Sequence, residues 1–490
     1  MLKTFFKRTV ALMLCATLLF CSFAVDVFAE ETIIIKTLTI NSAMSAAPSA
    51  ASVDESDEAL INSINSQLKA YSTSASILKF KLPYNQESID KIKGIMSGEL
   101  PECFHLDVSF QISVIGGYIF QIIPTYSYTK SEYQAMLADC EDAAKKMLIG
   151  VEGNTTLTDE EKLLILHDRI ALHCEYDMAD QKPQISHSMY GVFVNKVAVC
   201  QGYALAYSYL LDKIGVKNRY CSSVQINHAW NIVELNGKEY HVDITWDDPV
   251  WDVTGRVIHN NFLISTNKLI ENGHNATDFD TSPTDSTYDT YYWQDVQTGF
   301  ALLNDEIYYL CSDSKQYIYL KRCSDNKILY QTKHYWWASS SSIYSGNHAR
   351  LSVVGSKLLF SLSNGVYSFD PQKNKVKLIY SKPAINEYFN IYGFTYADGL
   401  LVCDLYNSPY FNSDTKKNYQ YKVPYHDVGN INDDGNINLE DVVILARALA
   451  GWSVEYSEDL FDVNGDKAKN LLDLVRLSQY VAEWEGIELY

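Results

Sequence analysis

Three short blocks of the sequence contain the residue types of a thiol acyl-transfer site. They are VCQGYA at 199–204, NHAWN at 227–231 and HVDITW at 241–246. A cysteine attacks a carbonyl group as its thiolate, which a helix N-terminus or a neighbouring imidazolium stabilises. A carboxylate can in turn orient the imidazole and stabilise its charged form. Cys200, His228 and Asp243 are therefore the candidate members of a Cys-His-Asp triad.

A helix is needed to position Cys200. The apolar pattern predicts a helix over about 201–214 that ends at Gly215, a typical C-terminal cap. Cys200 would then lie at the positive end of the helix dipole, where backbone N–H groups can face a developing oxyanion. An earlier helix is predicted over 159–176, with Thr158 as its N-cap and Glu161 completing a capping box.

A β-hairpin is needed to position His228 and Asp243. Asn236-Gly237 is a strong turn signal between two predicted strands, 224–235 and 238–246. Extending the ladder residue by residue from this turn makes His228 and Asp243 diagonal neighbours on one face, with backbones ~7–8 Å apart. This register predicts a hydrogen bond between the two side chains.

The three blocks resemble the core of the transglutaminase-like superfamily, over about 160–265. The family pattern runs C-x-G-Y-A, H-A-W-N and V-D-x-T-W-D, and all three parts are present. The resemblance implies a papain-like α+β fold in which the Cys-bearing helix packs on an antiparallel sheet. It also implies that Cys200 is the nucleophile, His228 the general base and acid, and Asp243 the orienting carboxylate. Relatives commonly have a glycine near 195–197, where this chain has Asn-Lys-Val. The alternative is a decayed, non-catalytic binding domain.

The other histidines and cysteines favour structural interpretations. His241 shares a face with Asp243 but has no matching chemical role. Eight cysteines lie beyond residue 29 without disulfide-framework spacing, and a Cys103–Cys140 pair is one open possibility. Isolated cysteines are usually small apolar core residues. We expect this of Cys174, Cys221, Cys311, Cys323 and Cys403.

Two acidic loops near the C-terminus have the spacing of calcium ligands. The segment 430–441 offers oxygen ligands at loop positions 1, 3, 5, 9 and 12 with glycine at position 6, and 462–473 repeats the pattern 32 residues later. Each loop leads into an apolar-periodic helix, over 442–449 and 474–481. Between residues 427 and 490 there are 14 acidic and 4 basic residues, a net charge of −10 out of −20 for the chain. This concentration of negative charge indicates a cation site.

The duplicated loop–helix unit resembles the type I dockerin, over about 426–484. The resemblance implies Ca²⁺ in two sites and a cohesin domain as partner. Carried over by position, with Asn436 and Ala468 offering backbone carbonyls, the ligands are Asn430, Asn432, Asp434, Asn436, Asn438, Asp441, Asp462, Asn464, Asp466, Ala468 and Asp473. The positions that correspond to cohesin contacts are Leu439, Glu440, Leu471 and Leu472.

Both loops depart from the dockerin pattern. Asn430 stands where aspartate is usual, which removes one ligand charge. Lys467 replaces the glycine at position 6, where a positive φ is needed, at a cost of ~1 kcal/mol. The second calcium site is therefore expected to be the weaker one.

The N-terminus and the net charge bear on location and partners. Residues 1–29 predict an export signal, with basic residues, an apolar stretch over 10–25 and a cleavage site after Ala29. We therefore expect a secreted, extracellular protein, with a retained membrane anchor as the alternative. The formal charge of −20 disfavours nucleic acid and anionic membranes as partners.

The sequence predicts a multidomain α+β protein. The expected order is the signal peptide at 1–29, an N-terminal segment and linker at 30–57, and a transglutaminase-like domain with an N-terminal extension at 58–295. A β-rich domain follows at 296–425, where Tyr-rich strands recur at about 40–50 residues in a propeller-like repeat. The dockerin, a small α module with paired EF-hand-like loops, completes the chain at 426–490.

These features predict a secreted cysteine acyl-transfer enzyme. We expect it to be a protease, amidase or protein cross-linking enzyme that acts on protein or peptide amides, and we expect no cofactor for catalysis. The dockerin would attach it to a cohesin scaffold of a polysaccharide-degrading complex. The alternative is a non-catalytic binding or structural component of that scaffold.

Overall fold

The computed structural model describes residues 33–40, 55–180, 182–250, 255–312, 317–332, 337–338, 343–344, 349–382, 390–397, 399–406, 419–425, 427–432, 434, 437–456, 460–484, 486–487 and 489. The predicted export signal at 1–29, residues 41–54 of the predicted linker and the predicted ligand Asn436 lie outside these residues. Across the described ranges, no helix combines the length and apolar character that a bilayer crossing requires.

The N-terminal extension is an antiparallel sheet covered by helices Glu55–Lys69 and Gln86–Gly98. The strands of the sheet are Ile34–Thr39, Ala75–Ser76, Leu82–Pro83, Leu106–Ile115 and Tyr118–Tyr126. The first strand pairs with the fourth from Ile34–Val114 to Thr39–Ser109. Part of the N-terminal segment thus belongs to this sheet, and the first helix begins at Glu55, inside the predicted linker.

The next region is a helical layer packed on a four-stranded antiparallel sheet. The helices are Lys130–Leu148, Asp159–Ala171 and Cys200–Lys213. The strand order is Phe262–Ile264, Lys238–Val242, His228–Leu235 and Asn218–Ser223. The predicted capping box of Thr158 and Glu161 is present, but that helix ends at Ala171 rather than near 176. The α+β arrangement of a Cys-bearing helix on an antiparallel sheet agrees with the expectation.

The hairpin that carries His228 and Asp243 follows the predicted register only in part. Leu235 pairs with Lys238 and Asn231 with Val242, as the two-residue turn requires. The second strand ends at Val242, because Asp243 leaves the ladder and caps the helical turn Ile244–Asp247. The predicted strand over 238–246 is therefore wrong in its last residues. The predicted strand over 224–235 is shorter as well, because residues 224–227 form a turn before His228.

The β-rich region contains three successive antiparallel meanders and a two-stranded ribbon, Trp337–Ala338 with Ile343–Tyr344. The first meander comprises Ala301–Leu303, Glu306–Ser312, Ile318–Arg322 and Ile328–Gln331. The second comprises Leu351–Val354, Lys357–Leu362, Gly365–Asp370 and Lys375–Ser381. The third comprises Asn390–Ala397, Leu400–Tyr406 and Tyr419–Pro424. No sheet formed by the described residues is closed, so the repeated strand texture is present but a propeller is not shown.

The first meander shares a hydrophobic core with the catalytic candidate region. Phe300, Ile307 and Tyr309 are buried in the same cluster as Leu163 and Tyr207 of the helical layer. The β-rich sequence pattern begins near residue 296, but the hydrophobic core continues across this point.

The C-terminal module is a pair of helices, Leu439–Leu449 and Leu471–Val481, around one small core. Both helices begin three residues earlier than predicted, because Asn438 and Asn470 act as N-caps with complete capping boxes.

Direct contacts join this module to the second meander. Asp427 is buried and accepts hydrogen bonds from Ser356 N at 2.6 Å and Ser356 Oγ at 2.7 Å, and it pairs with Lys357. Tyr480 donates to Asp370 at 3.1 Å, and the ammonium group of Lys373 lies 3.5 Å from the centre of the Tyr480 ring.

The eight cysteines of the described residues are all free thiols. Cys103 and Cys140 therefore do not form the pair left open by the sequence. Cys103 is buried and donates to Asn65 Oδ1 at 3.3 Å. Cys174, Cys221 and Cys403 are buried and Cys311 and Cys323 are partly buried, as expected of core residues.

Candidate functional site

Cys200 is the first residue of its helix, which runs from Cys200 to Lys213 after the N-cap Val199. The first N–H groups of a helix have no partner within it, so the sulfur lies beside free donors and the positive end of the dipole. Cys200 is only 8% exposed and packs with Ala204, Tyr220 and Ala229. Its thiol lies close enough to His228 to contribute to the raised pKa of that imidazole.

His228 and Asp243 form a direct buried pair. His228 Nε2 donates to Asp243 Oδ2 at 2.6 Å, and the two side chains are 7% and 0% exposed. This bond leaves Nδ1 of the same imidazole for the thiol of Cys200. Burial alone would lower the pKa of His228, but the charge and hydrogen bond of Asp243, together with Cys200, raise it to about 10. Burial would raise the pKa of Asp243, but His228 and His274 hold it well below its usual range.

The three residues predicted from the sequence are thus brought together. Two helix–sheet contacts support the arrangement. Asn231, three residues after His228, donates to the Ala204 carbonyl at 3.0 Å and to Ser208 Oγ at 2.9 Å. Both acceptors lie on the helix that begins with Cys200.

His274 is a site residue that sequence reasoning missed. Its Nε2 donates to Asp243 Oδ2 at 2.7 Å, so one carboxylate oxygen accepts from two imidazoles. His274 is fully buried and its ring centre lies 3.8 Å from that of Trp246. These separations are those of hydrogen bonds rather than of ligands around a metal ion. His274 lies 31 residues after Asp243 in a segment without strong periodicity. The sequence therefore did not identify it as a site residue.

Trp246 lies beside His228 and is partly exposed to solvent. It is 37% exposed, and its ring centre lies 5.4 Å from that of His228. Its backbone N–H donates to Asp243 Oδ1 at 3.2 Å, so the turn that holds the carboxylate also presents this ring to solvent.

His241 has the structural role expected of it. Its Nδ1 accepts from Trp230 Nε1 at 3.0 Å and its Nε2 lies 3.0 Å from Thr266 Oγ1. Burial is the main cause that lowers the pKa of His241 to about 3, so the ring is neutral.

A second buried network anchors the turn of Asp243 from its other end. Asp168 accepts from His167 Nδ1 at 2.8 Å and from His259 Nε2 at 2.9 Å. His167 Nε2 lies 3.3 Å from Asp247, which is the last residue of the turn that Asp243 begins. Phe300 N donates to Asp168 at 2.6 Å, so the network also holds the first meander. Sequence reasoning missed these four side chains as well.

Lys196, four residues before Cys200, has a left-handed backbone of the kind that glycine favours. Lys196 has φ +60 and caps the helical turn Gly191–Asn195. A residue with a Cβ is strained in this conformation by roughly 1–2 kcal/mol. Lys196 therefore holds a backbone conformation that a glycine would adopt without this strain.

The first acidic loop gathers oxygen donors. Asn430 Oδ1 accepts from Asp434 N at 3.1 Å, and Asp441 accepts from Ile431 N at 2.7 Å and Asn438 N at 2.8 Å. The Asn430 amide is buried, and its Nδ2 has no partner among the described atoms. Oxygen donors from carboxylates and amides are the ligands that Ca²⁺ prefers.

The second loop brings three carboxylates together. Oxygens of Asp462, Asp466 and Asp473 all lie within 4.8 Å of one another, a donor set that fits Ca²⁺. Lys467 at position 6 has φ +64, as the loop pattern predicted. Asn464 Oδ1 and Ala468 N are both engaged with Asp466. Asn470, at the position equivalent to Asn438, was missed as a ligand candidate although the 32-residue repeat marks it.

The predicted partner contacts lie on the surface of the module. Leu439, Leu471 and Leu472 are 67%, 68% and 62% exposed, and Glu440 is exposed. Apolar side chains this open, at the start of both helices, form a surface suited to a protein partner.

Comparison with known proteins gives two family matches and a similarity to a solved structure. The family model of the transglutaminase-like superfamily matches residues 146–244, and that of the dockerin type I domain matches residues 427–482. A solved structure described as "Crystal structure of a TGase" is 14% identical, with a TM-score of 0.21, over 28% of this chain and 43% of that chain. The chain thus spans less than half of that protein. No curated protein matches.

The first match spans the positions of Cys200, His228 and Asp243, and such a domain suggests a cysteine acyl-transfer enzyme. Type I dockerin domains generally bind calcium and a cohesin partner, and they are typical of extracellular, cellulosome-type proteins. The chain therefore combines a transglutaminase-like domain with a C-terminal type I dockerin domain.

Proposed function

We propose that the protein is a secreted cysteine acyl-transfer enzyme for protein or peptide amides, attached through its dockerin to a cohesin-bearing scaffold of a polysaccharide-degrading complex. The observation that carries the proposal is the 2.6 Å bond between His228 and Asp243, with Cys200 beside the same imidazole. This is the order of contacts that nucleophile, base and orienting carboxylate require.

The chemistry follows from these contacts. The Cys200 sulfur attacks the carbonyl carbon of the amide, and the N–H groups at the start of its helix stabilise the oxyanion. The C–N bond breaks as His228 gives its proton to the leaving amine, which leaves a thioester on Cys200. Asp243 keeps the imidazolium in place throughout.

The acceptor decides the type of enzyme. Water that attacks the thioester releases a carboxylic acid, and the protein is then a protease or amidase. A lysine-type amine forms a new amide, and the protein is then a cross-linking enzyme. In either case a proton of the acceptor passes to His228, so the same residues serve both outcomes.

The dockerin supplies attachment. Two Ca²⁺ sites, one in each loop, would order the two helices, and the exposed leucines would contact the cohesin. Secretion through the signal at 1–29 would place the protein with such a scaffold.

The alternative is a non-catalytic binding component of the scaffold. The observation that favours it is the low exposure of Cys200, 8%, because a nucleophile has to meet its substrate.

Trapping the thioester tests the proposal. Incubation of the mature protein with p-nitrophenyl acetate should release one equivalent of p-nitrophenolate rapidly and leave an acetyl group on the Cys200 peptide, as peptide mass spectrometry would show. Cys200→Ala should lose this burst, and Cys221→Ala, which removes a buried core thiol, should keep it. A second incubation, with casein and a fluorescent primary amine, separates cross-linking from hydrolysis. An absent burst together with unmodified casein would leave the binding component as the better description.

A further inference from the structure

Asp243 accepts hydrogen bonds from two buried imidazoles, and only one of them belongs to the Cys-His-Asp scheme. We propose that His274 is a positioning residue that fixes the Asp243 carboxylate and limits its attraction for the proton of His228. This inference rests on the proposed acyl-transfer function, since it concerns the same site.

The contacts of Asp243 show how the carboxylate is fixed. Its Oδ2 accepts from His228 at 2.6 Å and from His274 at 2.7 Å, and its Oδ1 accepts from Trp246 N at 3.2 Å. Three donors around a carboxylate that is 0% exposed determine its plane as well as its position. With His274 removed, one donor remains on each oxygen, so the carboxylate is held less firmly.

The two imidazoles are not equivalent. His228 uses Nε2 for Asp243 and lies beside Cys200, so its other nitrogen is available to exchange a proton with the thiol. His274 uses Nε2 for Asp243, and its Nδ1 is buried without a partner among the described atoms. His274 therefore acts through Asp243 and does not reach the reacting atoms.

Packing holds His274 in this position. Its ring lies against Trp246, with 3.8 Å between ring centres, and edge-on to Trp230 at 5.3 Å. Gly273, which precedes it, has φ +117, and a Cβ there would lie 3.2 Å from the Trp246 ring. Glycine at position 273 thus allows the backbone conformation that places the His274 imidazole against the Trp246 ring.

An electrostatic consequence follows. A carboxylate that already accepts from His274 has less negative charge to offer His228 than one with a single donor. His274 therefore lets His228 release its proton at a lower pH than it would with Asp243 alone. The other titratable groups that face this arrangement are Cys200, His241 and Tyr176.

The experiment compares His274→Leu with His274→Gln in the mature protein. The amide nitrogen of glutamine can occupy the place of Nε2 and restore the donor to Asp243, whereas leucine cannot. His241→Leu is the matched control, because it removes a buried imidazole that does not touch Asp243. The first readout is the rate of Cys200 alkylation by iodoacetamide against pH, which needs no substrate. The second is acylation by p-nitrophenyl acetate.

We expect the alkaline step of the alkylation profile, at which His228 loses its proton, to move to higher pH by at least about half a unit in His274→Leu. Acylation should fall by up to about 100-fold in that variant through loss of orientation. His274→Gln should return both readouts towards wild type, and His241→Leu should leave the alkaline step in place.

Equal profiles for the leucine and glutamine variants, or the same shift in His241→Leu, would overturn the inference. A wild-type protein with a stepped alkylation profile but no acylation would contradict the proposed function and leave the role of His274 to be decided by the alkylation data alone.

Discussion

Asn231 Nδ2 donates to the carbonyl oxygen of Ala204 over 3.0 Å, which ties the strand of His228 to the helix of Cys200. The same amide also donates to Ser208 Oγ at 2.9 Å. A buried side chain that makes no hydrogen bond to Cys200 or His228 therefore links the two elements that carry them.

Replacement of Asn231 by leucine should disturb both stability and the site. Loss of the two buried hydrogen bonds should lower the free energy of unfolding by about 1–3 kcal/mol, and it should slow Cys200 alkylation because helix and strand can shift. Asn218→Leu is the control, since Asn218 links the far end of the same helix through an exposed bond to Asp212. Denaturant unfolding and alkylation rates would check this. Equal effects of the two variants would show that Asn231 has no special part in aligning the helix of Cys200 with the strand of His228.

Cys200 should be the single fast-reacting thiol. Burial raises the pKa of Cys103, Cys140, Cys174, Cys221, Cys323 and Cys403, so these thiols stay protonated near neutral pH. Cys200 has the imidazole of His228 as a partner. Brief iodoacetamide treatment and peptide mapping should find label at Cys200 first. Even labelling of several cysteines would argue against an activated thiol.

The three buried side chains near the hairpin should differ in their effect on activity. His228→Ala and Asp243→Asn should lower acylation by at least about 100-fold with the fold retained, because the proton carrier or its orienting charge is lost. His241→Ala removes bonds to Trp230 and Thr266 and should cost stability but little activity per folded molecule. Rates corrected for folded fraction by circular dichroism test the ranking. A similar loss in His241→Ala would mean that the roles are assigned wrongly.

Stability should fall on the alkaline side because of His167. Burial would lower its pKa, but Asp168 and Asp247 raise it to about 9, above the 6.5 of an unfolded chain. The stabilisation is therefore complete below pH 6.5 and is lost as pH rises towards 9. Urea unfolding between pH 6 and 10 would measure it, and His167→Gln should flatten the decline relative to wild type. His228 contributes to stability with the same sign at higher pH. If the free energy of unfolding fell equally in His167→Gln, the network around His167 would not be the main source of the alkaline decline.

Lys467→Gly should tighten calcium binding at the second loop. Lys467 has φ +64, and a residue with a Cβ is strained there, so glycine should raise the affinity by up to about tenfold. Lys467→Ala is the matched control, because it removes the charge but keeps the Cβ. Calorimetric titration of the full chain would compare them. An alanine variant that gains as much as glycine would assign the effect to charge rather than to the backbone.

The sequence predicted the parts of the site that follow from periodicity and turn chemistry. The Asn236-Gly237 turn set the register as far as the Asn231–Val242 pair, and the helix that begins at Cys200 was expected from its apolar pattern. The prediction did not foresee that Asp243 leaves the strand. Its side chain accepts a hydrogen bond from Trp246 N, and a helical turn takes the place of the last strand pairs.

Contacts between distant segments could not be predicted in this way. His274 reaches Asp243 from a loop, and His259 reaches Asp168 over 91 positions of sequence. Neither local propensity nor spacing encodes such a meeting, because it depends on how the layers pack. The strand Ile34–Thr39 was missed for the same reason, since its residues pair with residues 70 to 80 positions later.

The contacts of Asp427 with Ser356 and Lys357, and of Tyr480 with Asp370, have a consequence for work on a scaffold. A dockerin joined through a flexible linker would leave the rest of the protein free to move around its attachment point. Here hydrogen bonds join the dockerin directly to the second meander, so a cohesin that binds the dockerin would also set the orientation of that meander. The position of the protein relative to its neighbours on such a scaffold would then depend on the orientation of the dockerin rather than on a flexible linker.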